Sequence, residues 1–362
     1  MKSVFDGYES TQDIENGDVY FAGANTGTGF CSSYADIAAE ESLERLYIIK
    51  GSAGCGKSTL MKKIATSAEH NGHSASRYLC GSDTESLDAV VLDGRIAILD
   101  GTPPHSVDMI FPGAKSELVD LSRFLDTAAL EREREAIVHH TNAKRDAYTA
   151  AYQYLTAADR VEEGIISLAR TLFDEQKARA YAARLIRKLI SKKSGRGALH
   201  HRYSHAVTMR GLRYVERKRY GWQTFVARDS MRCAPLLLGV LADAFIGAGC
   251  DVTLSHLPIS DHIAGIEVPR AHISIVTHGA DNAAGIINTA RFVCDEVKAS
   301  VRGEIRLGAV VETSCMEAAV ECLGKAAEHH FALEEIYSSA MDFCRANEVA
   351  DELCRDVLRR LG

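Results

Sequence analysis

Leu46-Tyr47-Ile48-Ile49-Lys50-Gly51-Ser52-Ala53-Gly54-Cys55-Gly56-Lys57-Ser58-Thr59-Leu60-Met61 is the stretch on which the reading of the whole chain turns. Leu46 to Ile49 is apolar and rich in β-favouring residues, as a strand buried in a parallel sheet is. Thr59-Leu60-Met61-Lys62-Lys63-Ile64-Ala65 places apolar residues at helical spacing. Between them, Gly51-x-x-x-x-Gly56-Lys57-Ser58 supplies glycines, a lysine and a hydroxyl. Glycines let consecutive backbone N–H groups turn inward as an anion nest, and the helix that follows points its positive dipole end at the same place. The spacing predicts that Gly51, Ser52, Ala53, Gly54, Cys55, Gly56, Lys57, Ser58 and Thr59 hold the phosphates of a nucleoside triphosphate. In that reading Lys57 places its charge on the β- and γ-phosphates and Ser58 offers its hydroxyl to Mg²⁺.

A bound Mg²⁺ asks for a second anchor, commonly an Asp at the end of a neighbouring apolar strand. Arg95-Ile96-Ala97-Ile98-Leu99-Asp100-Gly101 fits, with Asp100 where the strand runs out into Gly-Thr-Pro-Pro. Asp100 is therefore the second candidate metal ligand. Gly101 follows it where many ATP-hydrolysing motors carry a carboxylate, which argues against fast hydrolysis by that route. Asp83, after the expected strand Arg77-Tyr78-Leu79-Cys80, and His105, in the turn after Asp100, are candidate catalytic groups. Asp83 also suits a helix N-cap, and His105 a surface loop. The chain holds no Asn-Lys-x-Asp run to read guanine, so the expected nucleotide is ATP.

The same pattern returns later in the chain. Tyr20 to Phe30 lies without a gap on Arg202 to Leu212, matching the aromatics Phe21 and Tyr203, Ala24 and Ala206, Thr26 and Thr208, and Gly29 and Gly211. Tyr47 to Lys50 falls on Phe225 to Arg228, and the glycine loop on Asp229-Ser230-Met231-Arg232-Cys233-Ala234-Pro235-Leu236. Asp100 falls on Thr277, Phe173-Asp174 on Met341-Asp342, and Ala178 on Ala346. The second copy keeps its apolar pattern and loses its ligands. Pro235 stands for Lys57, Ala234 for Gly56, and Asp229 for Gly51, which puts a carboxylate where phosphate would sit. The expected architecture is α/β, with two P-loop NTPase-like parallel-sheet domains in tandem forming a pseudo-dimer within one chain. We place an active domain over 1–195 and a degenerate one over 196–362, divided at Ser191-Lys192-Lys193-Ser194-Gly195-Arg196-Gly197.

Each half is expected to carry a long helical insertion, over about 116–193 and about 282–361, the second interrupted between Gly303 and Gly308. Tyr148, Ala151, Tyr152 and Leu155 recur at three- and four-residue steps, enough to pack two helices together. Such an arm suits a lid over the nucleotide or a contact surface for a partner. The segment 187–219 is basic, but a net charge of −7 over 362 residues argues for a solvated linker and surface over a nucleic-acid site. Arg228 and Arg232, in the degenerate loop, are candidates to reach a γ-phosphate across the halves. Hydrophobic residues are 46% and charged residues 25%, as in globular proteins. Ten cysteines show no C-x-x-C pair, no apolar run nears the ~18 residues of a membrane span, and no secretory h-region is seen. A cytoplasmic protein with reduced thiols is expected.

Phe21 to Thr26, Lys50 to Met61, Cys80 to Asp88, Ala97 to His105 and His201-Arg202-Tyr203 resemble the bacterial tandem P-loop ATP-binding proteins described as nucleotide-kinase-related. The resemblance spans nearly the whole chain and implies ATP binding, without supplying a substrate. Both halves usually carry a glycine-Lys-Ser/Thr loop in that family, and here the second is lost. Two functions follow as expectations. One is Mg-ATP-dependent phosphoryl transfer to an acceptor, or slow hydrolysis, at Lys57, Ser58 and Asp100. The other is an ATP-gated interaction protein whose helical arms engage a partner.

Overall fold

Residues 45–50 and 96–100 lie side by side as parallel strands buried on both faces, and the first half is built around them. The structure, a computed structural model, describes residues 9–10, 18–39, 42–103, 106–192, 195–215, 220–277 and 283–362. Pro104 and His105 fall outside the described residues.

The first half opens with β1 (Glu9–Ser10), β2 (Val19–Phe21), the hairpin β3 (Gly23–Thr26) and β4 (Gly29–Ser32), and α1 (Tyr34–Ala39). It continues through β5 (Arg45–Lys50), α2 (Lys57–His70), β6 (Ala75–Leu79), β7 (Leu87–Leu92), β8 (Ile96–Asp100) and β9 (Ser116–Asp120). Three helices close it: α3 (Thr127–Arg132), α4 (Arg134–Leu172) and α5 (Glu175–Leu189). The second half has β10 (Leu199–Arg202), the hairpin β11 (His205–Thr208) and β12 (Gly211–Tyr214), β13 (Gln223–Arg228), α6 (Ala234–Gly247) and β14 (Val252–His256). Then follow β15 (Ile263–Val268), β16 (Ile273–Val276), β17 (Gly285–Asn288), α7 (Asp295–Ser339) and α8 (Phe343–Leu361).

The fold is α/β, with two six-stranded sheets and long helices. The first sheet runs β2-β6-β7-β8-β5-β9 and the second β10-β14-β15-β16-β13-β17, the same order element for element. The sheets are mixed where all-parallel ones were expected. β7 and β15 run antiparallel to both neighbours while the other pairings are parallel. Short connections explain this, because a parallel return needs a long crossover. Asp93 and Gly94, both at positive φ, make the tight β7–β8 turn. Residues 116–120, expected as part of a helical insertion, form edge strand β9 on β5.

The halves complete each other. α8, at the chain's end, buries Ala346, Ala350, Leu353 and Val357 with Leu60, Met61 and Ile64 of α2 in the first core. Tyr47 of β5 donates its hydroxyl to Asp356 of α8. α5, from the first half, buries Ala178, Ala182 and Ile186 with Leu237, Leu241 and Phe245 of α6 in the second core. Both entering helices are capped alike: Asp174 accepts from the Lys177 N–H at 2.9 Å, and Asp342 from the Arg345 N–H at 3.1 Å. The hairpin tips cross over too. The Met209 N–H donates to the Ser82 carbonyl at 2.9 Å, and the Gly27 N–H to the Ile259 carbonyl at 3.1 Å.

Between the two cores α4 and α7 run antiparallel, and Ala151, Leu155 and Ala158 pack on Met316, Ala319 and Leu323. α7 is continuous from Asp295 to Ser339, so Gly303 to Gly308 does not interrupt it. Gly308 serves close approach instead: a Cβ there would meet Ile165 Cγ1 at 2.7 Å. No helix among the described residues is long and apolar enough to cross a membrane.

Helix propensity alone makes Gly308→Ala stabilising by about 1 kcal/mol. The contact with Ile165 reverses the sign. The variant is expected to be less stable than wild type in urea or thermal unfolding, because the buried Ile165 side chain must leave its present position to admit the methyl group.

Candidate functional site

β5 and β8 end together, with Ile49 in register with Asp100, so the loop after β5 and the carboxylate at the end of β8 emerge at one carboxyl edge. That edge is where open α/β sheets bind ligands. Leaving β5, the loop turns through Gly54 at φ 74° and Gly56 at φ 84°, left-handed values that glycine adopts without a Cβ penalty. α2 then starts at Lys57. Cys55 is buried beneath the loop, its sulfur 3.3 Å from the Ser52 hydroxyl. The first-turn N–H groups of α2 have no side-chain cap. They and the loop amides present donors suited to an anion.

Lys57 folds over this loop. Its Nζ donates to the Gly51 carbonyl at 2.9 Å and the Ser52 carbonyl at 2.8 Å, and stands 3.7 Å from Asp100 Oδ2. Asp100 Oδ1 accepts from the Thr102 N–H at 2.8 Å, and the Thr102 hydroxyl bonds the Gly51 carbonyl at 2.8 Å. Asp100 is thus held by its own turn with one oxygen directed at the lysine. The Ser58 hydroxyl accepts from the Leu87 N–H at 2.9 Å, which ties α2 to the start of β7 and leaves a second lone pair. Lys57, Ser58 and Asp100 line one cleft of about 1090 Å³, together with Ala53 to Gly56 and Thr59.

Asp83 lies at the rim of the cleft, in a turn and not at a helix start: residues 80–86 form turns and bends, followed by strand β7. It accepts from the Ser86 hydroxyl at 3.1 Å and pairs with Arg210 of the β11–β12 turn at 3.1 Å. Arg210 is therefore the arginine of the second half that reaches this rim. Arg232 instead bonds Glu312 at 2.5 Å, with Glu162 at 3.9 Å, and Arg228 lies exposed at the end of β13. Neither lines the cleft.

The cleft also contains a carboxyl that the sequence reading passed over. Asp88, on β7, is 5% exposed, and burial together with the nearby Asp100 charge pushes it up to about 7. The neighbouring Cys80 thiol and the Tyr34 hydroxyl of α1 work the other way. An acid inside the otherwise apolar run Leu87-Asp88-Ala89-Val90-Val91-Leu92 was the available signal, since such a strand buries both faces.

Helices of both halves form the opposite wall. α4 contributes Lys144, Tyr148 and Tyr152, and α7 contributes His330 and Glu334. Tyr148 donates to the Ser82 hydroxyl at 2.8 Å and Tyr152 to Asn25 Oδ1 at 2.9 Å, pinning α4 against the first half. α7 presses so close that a Cβ on Gly54 would lie 2.6 Å from the Glu334 carbonyl oxygen. Burial holds the Glu334 carboxyl up, the Asp83 charge adds to this, and the Gly54 N–H opposes it. His330 is pushed down to about 4 by burial and by Lys144.

The corresponding loop in the second half has the same kink and a different occupant. Arg232 adopts φ 55°, the counterpart of Gly54. Asp229 turns its carboxylate into the nest, where Oδ1 accepts from the Met231 and Cys233 N–H groups, each at 3.1 Å, and Oδ2 from the Ala234 N–H at 2.6 Å. The Thr289 hydroxyl adds a fourth bond at 2.9 Å. The chain's own carboxylate thus satisfies the donors that an external anion would use.

A carboxyl raised by burial costs stability once it ionises. Asp88 keeps its proton in the folded state up to about pH 7 and loses it near pH 4 when unfolded, so its favourable contribution fades as pH rises between these values. Asp88→Asn, measured without nucleotide or metal, is therefore expected to gain melting temperature relative to wild type steadily from pH 5 to pH 8. A difference that does not change with pH would contradict this burial. Compared with known proteins, the chain matches no family model, and no curated protein or solved structure was found to resemble it.

Proposed function

We propose that the chain is a P-loop nucleotide-binding protein, a pseudo-dimer of two related halves, that holds one ATP on Gly51 to Thr59 and uses it for phosphoryl transfer to an acceptor or slow hydrolysis. The observation that carries this reading is the meeting of Lys57 with Asp100 at 3.7 Å over a doubly kinked glycine loop, at the mouth of a cleft large enough for a nucleotide. Loop amides and Lys57 hold the phosphates. Ser58 and Asp100 have the oxygen donors that Mg²⁺ prefers and would hold it, and the ion neutralises phosphate charge when bound. Asp88, a buried carboxyl that lines the same cleft, is the group suited to take a proton from an attacking hydroxyl or water. Asp83, engaged by Ser86 and Arg210, is better placed to fix the rim.

A second reading, ATP-gated interaction, has its own support: α4 of one half and α7 of the other both wall the cleft. A ligand there touches both arms and can bias how they sit.

Calorimetric titration with Mg-ATP separates these ideas from their failure. One site per chain is expected, because Asp229 occupies the other nest. Lys57→Ala is expected to weaken binding by about 10- to 100-fold, the loss of a charge-assisted contact. Unchanged affinity would overturn the assignment. Phosphate release that depends on Lys57 and rises with a phosphoryl acceptor favours transfer, and tight binding with negligible turnover favours the gate.

A further inference from the structure

We propose that Lys144, in the first third of α4, is a cation for the terminal phosphate of the bound nucleotide, so that the arm distinguishes a triphosphate from a diphosphate. This deepens the ATP reading of the cleft and rests on it.

Lys144 lines the same cleft as Lys57 although the two are far apart in sequence. It is near enough to Lys57 for their charges to repel, and burial together with that repulsion holds its amine below the ordinary lysine range. Glu334 opposes the shift, but Glu334 is itself shared with Lys57 and the Gly54 N–H. His330, across from Lys144 on α7, also feels both lysines. Two lysines lining one cleft with a loop of backbone donors make a site whose complement is a multivalent anion.

The second half provides an internal comparison. The N-cap residues Asp174 and Asp342 lie 168 residues apart and set the repeat spacing of the helical arms. At that spacing Lys144 corresponds to Glu312, and His330 to Glu162. Glu312 and Glu162 face the second loop and are both engaged by Arg232, the counterpart of Gly54. Where the loop carries its own cation, the arms present two carboxylates. Where the loop carries a bare glycine, the same arm positions present a lysine and a histidine. The arms thus complement the charge at the loop, and for Lys144 that charge is negative and comes from the ligand. A nucleotide reaches an arm beyond Lys57 with its outermost phosphate, because the loop and the start of α2 enclose the inner ones.

The test is the dissociation constants of Mg-ATP and Mg-ADP for wild type, Lys144→Met, Lys144→Arg and Lys57→Ala. Lys144→Met keeps the apolar stem that packs in the wall and removes only the charge. It is expected to weaken ATP about tenfold or more and ADP less than about threefold, with a melting temperature no lower than that of wild type, while Lys144→Arg recovers most of the ATP affinity. Equal losses for ATP and ADP, or no loss for either, would overturn the role of Lys144 while leaving the cleft assignment intact. Wild type that binds neither nucleotide, or Lys57→Ala that binds both as wild type does, would instead sink the ATP reading and this proposal with it.

Discussion

Each sheet depends on a helix supplied by the other half of the chain. α2 lies against the first sheet with an apolar flank that α8 covers, and α6 lies against the second with a flank that α5 covers. Burying such a flank stabilises by roughly 25 cal/mol for each Å² removed from water, whereas a solvent-exposed ion pair contributes little. The exchange has a geometric consequence. To deliver α5 to the second core and α8 to the first, α4 and α7 must run past each other in opposite directions, and their contact passes over both loops. The cleft at the first loop is therefore walled by both halves because the cores are.

Within that frame the two loops show how few residues separate a loop that faces a cleft from one filled by the chain's own carboxylate. Both kink at equivalent positions, Gly54 and Arg232, and both lead into a helix on the same sheet position. At the first, amides and Lys57 face a cleft. At the second, the Asp229 carboxylate takes three amides and a threonine hydroxyl, and Arg232 stands between two buried glutamates. Burial and the Glu312 charge raise Glu162, and burial raises Glu312, with Arg232 working against both. Removing a single partner from such a buried group is costly, which keeps the set together as a structural unit.

Much of this was legible in residue patterns because local physics dictates it. Leu46 to Ile49 could only be a buried strand, the glycines of 51–56 only a tight turn, and Thr59 to Ala65 an amphipathic helix. The repeat was legible because the same hydrophobic periodicity returns even where the polar residues changed. Asp88 left a faint trace as an acid inside an apolar strand. Lys144 left none: among the alternating charges of residues 131–146 a lysine facing a cleft and one facing water look alike, since periodicity does not say what a helix packs against. Gly308 misled for the related reason that glycine weakens an isolated helix and also permits close packing, and only the neighbour Ile165 decides between them.

The sequence by itself determined the strand, loop and helix at residues 46–65, the strand that ends at Asp100, and the existence of a second copy with altered loop chemistry. All of these follow from interactions between residues close in the chain. Tertiary structure alone decided that the halves exchange their last helices, that β7 and β15 run against their neighbours, and that Lys144, His330, Glu334 and Asp88 share a cleft with Lys57. Those outcomes depend on which apolar faces meet across more than a hundred residues of chain, and no local pattern records that choice.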